Sequence, residues 1–240
     1  MRRLFPALIA LTVILSSCFL DGGKRLRGSG TIKTDVRNEK GFQNIEVQGA
    51  IKVFVRQDSG YAVKVEADDN LQDHIEVYVD KQTLVIRPEK GFNLRPTRSI
   101  KVYVSGPSFR DFDISGASSI RSDNRLSGQD ELSIELSGAS EAEVDVKCPK
   151  VSIDASGAST ATLNGETKDL QISNTGASSA KCYQLLTENA VVEVSGASHA
   201  EVAASVKLDA NASGASNIRY KGNAALTQDV SGAGSVKKVD

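Results

Sequence analysis

Seven polar positions recur through the C-terminal half of the chain: Asp113, Glu135, Asp154, Ser173, Glu193, Asn211 and Asp229. Successive members lie 22, 19, 19, 20, 18 and 18 residues apart, and five of the seven are acidic. If the fold stacks them, neighbouring carboxylates about 5 Å apart repel, which costs stability unless something offsets it. Such a stripe could bind Ca²⁺ or a cationic partner, most readily at Asp113, Glu135 and Asp154. Calcium takes about six to eight oxygen ligands, more than one row supplies. The simpler expectation is a solvated face whose charge discourages aggregation.

Other reactive side chains are sparse. His74 and His199 are the only histidines, too few for a metal cluster or a catalytic triad, and solvated surface positions are expected for both. Serine is abundant but recurs as Ser-Gly-Ala-Ser, as at Ser115-Gly116-Ala117-Ser118. A nucleophile elbow instead needs Gly-x-Ser-x-Gly between a strand and a helix. The net charge is −1, from 29 basic and 30 acidic residues. That balance argues against a nucleic-acid partner, which needs a basic footprint. No cofactor and no catalytic residue are expected.

The elements that carry the acidic row can be read from the same repeat. The tetrapeptide starts at Ser115, Ser137, Ser156, Thr175, Ser195, Ser213 and Ser231, at the intervals given above. Periods of this length signal stacked repeats. Apolar residues alternate before each corner, as at Leu132, Ile134 and Leu136 or Val151, Ile153 and Ala155. They resume in phase after it, as at Ala142, Val144 and Val146. Period-two alternation means strand. The glycine falls on the inward parity, so it is expected at a bend where backbone approaches the core.

A unit of this size cannot bury its inner face alone, whereas stacked units close a continuous core. A parallel β-helix with coils about 4.8 Å apart follows. An antiparallel meander or a propeller is the competitor, although a propeller blade of about 40 residues would span two units. Coils two apart would hold Cys148 and Cys182, about 9.5 Å from each other at that spacing. A disulfide needs Cα atoms within about 7 Å, so two unpaired thiols are expected, with Cys182 in the core.

Residues 42–104 follow the same design less regularly, with Gln48-Gly49-Ala50 as a faint corner. Phenylalanines cluster in and just after this stretch, at Phe42, Phe54, Phe92, Phe109 and Phe112, which suits a cap or wider first coils. The expected organisation is a signal peptide at 1–17, a flexible tether at 18–40 and one domain at 41–240. Within the domain, 41–110 are irregular coils and 111–240 regular repeats.

Met1-Arg2-Arg3 is a short basic segment, followed by an apolar run from Leu4 to Leu15. The run is too short to span a bilayer and suits a signal-peptide core. Leu15-Ser16-Ser17-Cys18 then resembles the lipobox of bacterial lipoproteins, which implies diacylation of Cys18 and a lipid anchor. The expected location is the cell envelope, at the outer membrane.

Gly41-Phe42 ahead of Ile45-Glu46-Val47, Leu84-Val85-Ile86 and the repeated Ser-Gly-Ala-Ser resemble the family called putative auto-transporter adhesin, head GIN domain. The resemblance covers roughly residues 40–235 and implies a right-handed β-helix, frequent on envelope lipoproteins. It carries over no catalytic residue. The function expected is a non-enzymatic binding, adhesion or scaffold module. Its partners would be the membrane, through the anchor, and envelope proteins or extracellular polymers. A polysaccharide lyase or hydrolase on the same scaffold is the alternative, supported by fold analogy alone.

Overall fold

The computed structural model describes residues 23–239. Cys18 and the expected signal peptide lie outside the described residues. The first part of the fold holds β1 (Lys24–Arg27), β2 (Ile32–Arg37), β3 (Asn44–Val47), β4 (Ile51–Gln57) and β5 (Ala62–Asp68). A 3-10 helix, Asp69–His74, leads into β6 (Ile75–Asp80), β7 (Thr83–Pro88), β8 (Phe92–Arg95) and β9 (Ile100–Gly106). The second part holds β10 (Asp111–Ile114), β11 (Ser119–Ser122), β12 (Leu126–Ser127), β13 (Glu131–Leu136), β14 (Glu141–Ala155) and β15 (Thr160–Asn174). It ends with β16 (Ser179–Val194), β17 (His199–Ala212), β18 (Asn217–Lys221), β19 (Ala225–Val230) and β20 (Ser235–Lys238).

From β10 onward every pairing is parallel and joins a strand to its equivalent in the next coil. This is a parallel β-helix. Each coil contributes one segment before the Ser-Gly-Ala-Ser corner, on a face termed A, and one after it, on face B. Inward columns such as Phe112, Ile134, Ile153, Ile172 and Val192 are buried and belong to one apolar cluster running from Phe42 to Ile218. Burying each such side chain contributes about 1.5–3 kcal/mol. No coil closes that core by itself, so each rung depends on its neighbours.

The corner differs from expectation in one respect. Its glycine is exposed and left-handed, with φ +76° at Gly138, and the fourth residue, Ser140, turns inward instead. The tight turn uses up the inward step that strict alternation would assign to glycine. The requirement for glycine comes from the rung below: a Cβ at Gly138 would sit 2.6 Å from the Gly116 carbonyl oxygen. That carbonyl accepts a 2.7 Å hydrogen bond from the Ala139 amide. The same bond repeats from Ala117 on Gly49, 2.6 Å, to Ala233 on Gly214, 2.7 Å, so the ladder continues around the corner. Gly49 thus belongs to this stack.

The first coils are stacked out of chain order. The β3–β4 rung lies between the β7–β9 rung on one side and the β10–β11 rung on the other. Antiparallel pairs finish this end: β5 lies between β2 and β9, and β6 pairs with β7. The expected tether at 18–40 is corrected over its described part, residues 23–40. β1 pairs with β8 in parallel, and β2 extends the main sheet through β5. Asp68 fixes both connections: its carboxylate accepts from the Gly30 amide at 2.8 Å and from the Thr97 amide and hydroxyl at 2.9 and 2.6 Å. Gly-rich, charged sequence read as a linker is held because these bonds are available to its backbone.

Candidate functional site

The parallel register brings the seven recurring positions into one outward column on face A, in the order Asp113, Glu135, Asp154, Ser173, Glu193, Asn211, Asp229. The column also takes in Glu46, next to Asp113 on β3. Sequence spacing missed Glu46 because its rung lies 67 residues earlier in the chain than the one it supports. The signal was present in the faint Gln48-Gly49-Ala50 corner, two residues beyond it.

Flanking columns extend the chemistry. On one side stand Asp111, Ser133, Ser152, Gln171, Val191 and Asp209. On the other stand the first residues of the corners, Ser115 through Ser231. No Lys or Arg lies in these three columns between Asn44 and Ser231. None of their carboxylates forms an ion pair among the described residues. Partial burial pushes the Asp113 carboxyl above its usual range, and the carboxylates of Glu46 and Glu135 on either side add to this. Burial, then Asp113, does the same to Asp111, one of whose oxygens has no partner. A shallow groove of about 390 Å³ runs along the column beside the corners, lined by Ser173, Thr175, Glu193, Ser195, Asn211 and Ser213. No group of three or more Asp, Glu, His or Cys among the described residues is arranged to hold a metal ion.

Face B is built differently. Three of its acids are paired across rungs: Glu143 with Arg121 at 3.6 Å, Asp145 with Arg125 at 2.8 Å, and Glu166 with Lys147 at 3.1 Å. Near the first coils Phe54 and Tyr103 stack on adjacent strands, with centroids 5.3 Å apart. Stacking turns their ring faces toward each other, so the pair offers solvent mainly its edges.

The coil's second turn carries a groove of about 560 Å³, lined by Cys148, Thr167, Thr187 and Ser205. The lining is occupied with its own bonds. The Cys148 thiol donates to the Lys150 carbonyl at 3.0 Å, and the Thr167 hydroxyl to the Asp169 carbonyl at 3.2 Å. Cys148 is therefore a thiol in a column of hydroxyls that brace this turn. Burial pushes its pKa up, away from nucleophile chemistry. Cys182 is fully buried two coils away, and burial pushes it up to about 12. Both cysteines are free.

The histidines are less solvated than expected. His74 packs on Phe92, with centroids 4.2 Å apart, and meets Glu89 at 2.6 Å. His199 is half-buried, 3.3 Å from Glu201. They lie in different parts of the stack.

Comparison with known proteins places this geometry in a group. Residues 41–224 match the family model described as putative auto-transporter adhesin, head GIN domain. No curated protein matches the sequence. A putative adhesin from Bacteroides fragilis is similar in structure, with TM-score 0.82 and 20% identity, over 89% of this chain and 100% of that one. A putative lipid binding protein from Parabacteroides distasonis gives 0.73 and 20%, over 90% and 100%. A putative adhesin from Parabacteroides merdae gives 0.71 and 22%, over 90% and 99%. At these identities the likeness establishes the fold.

Proposed function

We propose, for a chain that belongs to the putative auto-transporter adhesin, head GIN domain family, the role of a non-enzymatic adhesin-like module held at the cell envelope. The observation that carries the reading is the division of charge between the two faces. Face B pairs three of its acids with Arg or Lys across rungs, whereas the three adjoining rows of face A present carboxylates and hydroxyls with no Lys or Arg among them; the Lys150–Glu131 pair lies in the row beyond. A face that spends stability on unpaired charge over many rungs suits an extended, cation-bearing ligand contacted at a regular step. Such a ligand is a surface polymer or the basic face of another envelope protein. Free Ca²⁺ fits less well, because one carboxylate per rung leaves most of its oxygen ligands to be found elsewhere.

The finer reading adds the anchor. Cys18, in Leu15-Ser16-Ser17-Cys18, is proposed as the acylated first residue of the mature chain, tethered at the outer membrane. No helix among the described residues is long and apolar enough to cross a membrane. Adhesion of cells carrying the native chain is compared with that of cells carrying Asp113→Asn, Glu135→Gln and Asp154→Asn together. Loss of adhesion with unchanged surface level supports face A as the binding face; unchanged adhesion removes it. Protease treatment of whole cells reads exposure, and the mass of the mature N-terminus reads acylation.

A further inference from the structure

The ribbon formed by β1 and β8 stands apart from the main sheet and carries a different charge from the rest of the molecule. Residues 23–31 and 90–99 supply Lys24, Arg25, Arg27, Lys90, Arg95 and Arg98 and contain no Asp or Glu. The whole chain, by contrast, balances to −1. In the ribbon's parallel register Arg27 lies directly beside Arg95, and Arg25 beside Asn93. Alternation puts Arg25 and Arg27 on one face, while Leu26 and Leu94 occupy the other, where Leu94 packs against the core. The arginine face therefore points away from the body.

Like charges set opposite each other cost stability. Nothing nearby relieves them: none of the six basic residues forms an ion pair among the described residues. The acids at this end are otherwise engaged. Asp68 holds Gly30 and Thr97, Asp69 accepts from the Ser29 hydroxyl, and Glu89 meets His74. Asp73, on the 3-10 helix, is exposed without a partner among the described residues. The ribbon is also rigidly placed. The Asn70 amide donates to the Arg27 carbonyl at 2.9 Å and accepts from the Ser29 amide at 2.8 Å. The Gly28 amide reaches the Arg95 carbonyl at 2.9 Å.

We propose that this arginine face docks on an anionic phospholipid surface. The inference deepens the anchor reading and rests on it for one point, the distance. Six residue steps separate Cys18 from Lys24, so at most about 20 Å of extended chain lies between the acyl chains and the ribbon. A lipid anchor alone leaves orientation free. The arginine face adds an electrostatic contact to the acyl chains, and the two together set the long axis of the solenoid relative to the bilayer.

The test uses residues 19–240, which contain every described strand and carry no acyl chain, so vesicle binding is measured independently of the anchor. Sedimentation with phosphatidylglycerol-containing vesicles is expected, and none with phosphatidylcholine alone. Each basic residue near the surface contributes about fivefold. The Arg25→Gln, Arg27→Gln, Arg95→Gln variant should therefore bind on the order of a hundredfold more weakly, and the variant with lysine at the same three positions should retain binding. Salt raised from about 0.1 M to about 1 M shortens screening from about 10 Å to about 3 Å and should release the wild type. This last measurement stands even if the triple Gln variant fails to fold. Absence of binding to the anionic vesicles overturns the proposal, as does equal binding to both lipids, salt-insensitive binding, or capture of heparin without capture of vesicles. A mature chain found unacylated at Cys18 would sink the tether reading while leaving the vesicle result as it stands.

Discussion

Replacing Gly138 with alanine tests the corner ladder directly. The residue sits at φ +76°, where an L side chain costs about 1–2 kcal/mol. Its new methyl would also lie 2.6 Å from the Gly116 carbonyl oxygen, which is backbone and cannot swing aside. Relief requires the rungs to separate, weakening the 2.7 Å bond from Ala139 to Gly116, worth about 1 kcal/mol. Packing lost around the separated rung brings the total to about 3–5 kcal/mol. A control lies in the preceding coil. Gly128 has φ +85°, but a methyl added there would meet nothing within 4 Å, so Gly128→Ala should cost only the conformational part, about 1–2 kcal/mol. For a domain of this size each kcal/mol lowers Tm by about 2–4 °C. Thermal melts followed by circular dichroism should thus separate the two variants by at least about 2 °C. Equal melts would show that the glycines serve only the turn, and that close stacking of corners plays no part.

Three further outcomes follow from the buried and crowded groups. Asp113 has a raised pKa, so its ionisation opposes folding and stability falls as pH rises from the unfolded value through the folded one. Asp113→Asn should raise stability at pH 7 by about 0.5 kcal/mol. Asp68 behaves oppositely. Burial pushes it up, but hydrogen bonds from Thr97 and Gly30 outweigh burial and lower its pKa. Its contribution is present above the unfolded value and is lost as pH falls through the folded one, so Asp68→Asn should melt lower at pH 7 and converge with wild type in acid. Parallel melting curves across that range would refute the assignment. In residues 19–240, denatured without reductant, Cys148 and Cys182 should take two alkyl groups, and in the native protein Cys182 should resist labelling at pH 8. Labelling that appears only after reduction would mean a disulfide.

The regular half was legible because one signal repeats. Leu132, Ile134 and Leu136 alternate before a corner and Ala142, Val144 and Val146 after it, and these positions are the buried ones. The row of acids followed from the same arithmetic. What escaped was set by contacts that leave no local pattern. Lys24–Arg27 is Gly-flanked and charged, and it becomes a strand only because Phe92–Arg95 lies alongside. The exposure of Gly138 could not be read from parity, since a left-handed turn breaks the alternation that parity assumes. Spacing marks Cys148 only as an unpaired thiol; its role is clear only beside Thr167 and Thr187 at the second turn.

The out-of-order rung has a consequence for how the chain acquires its structure. Strands β3 and β4 are made early, yet β10 and β11, which cover one side of them, lie 67 residues further on. Closing so long a loop is slow compared with adding a coil of about 19 residues to an existing edge. A chain emerging N-terminus first must therefore hold its first rung open until the region around Ser119 arrives. Only then does a template exist on which the later coils can zip up one after another.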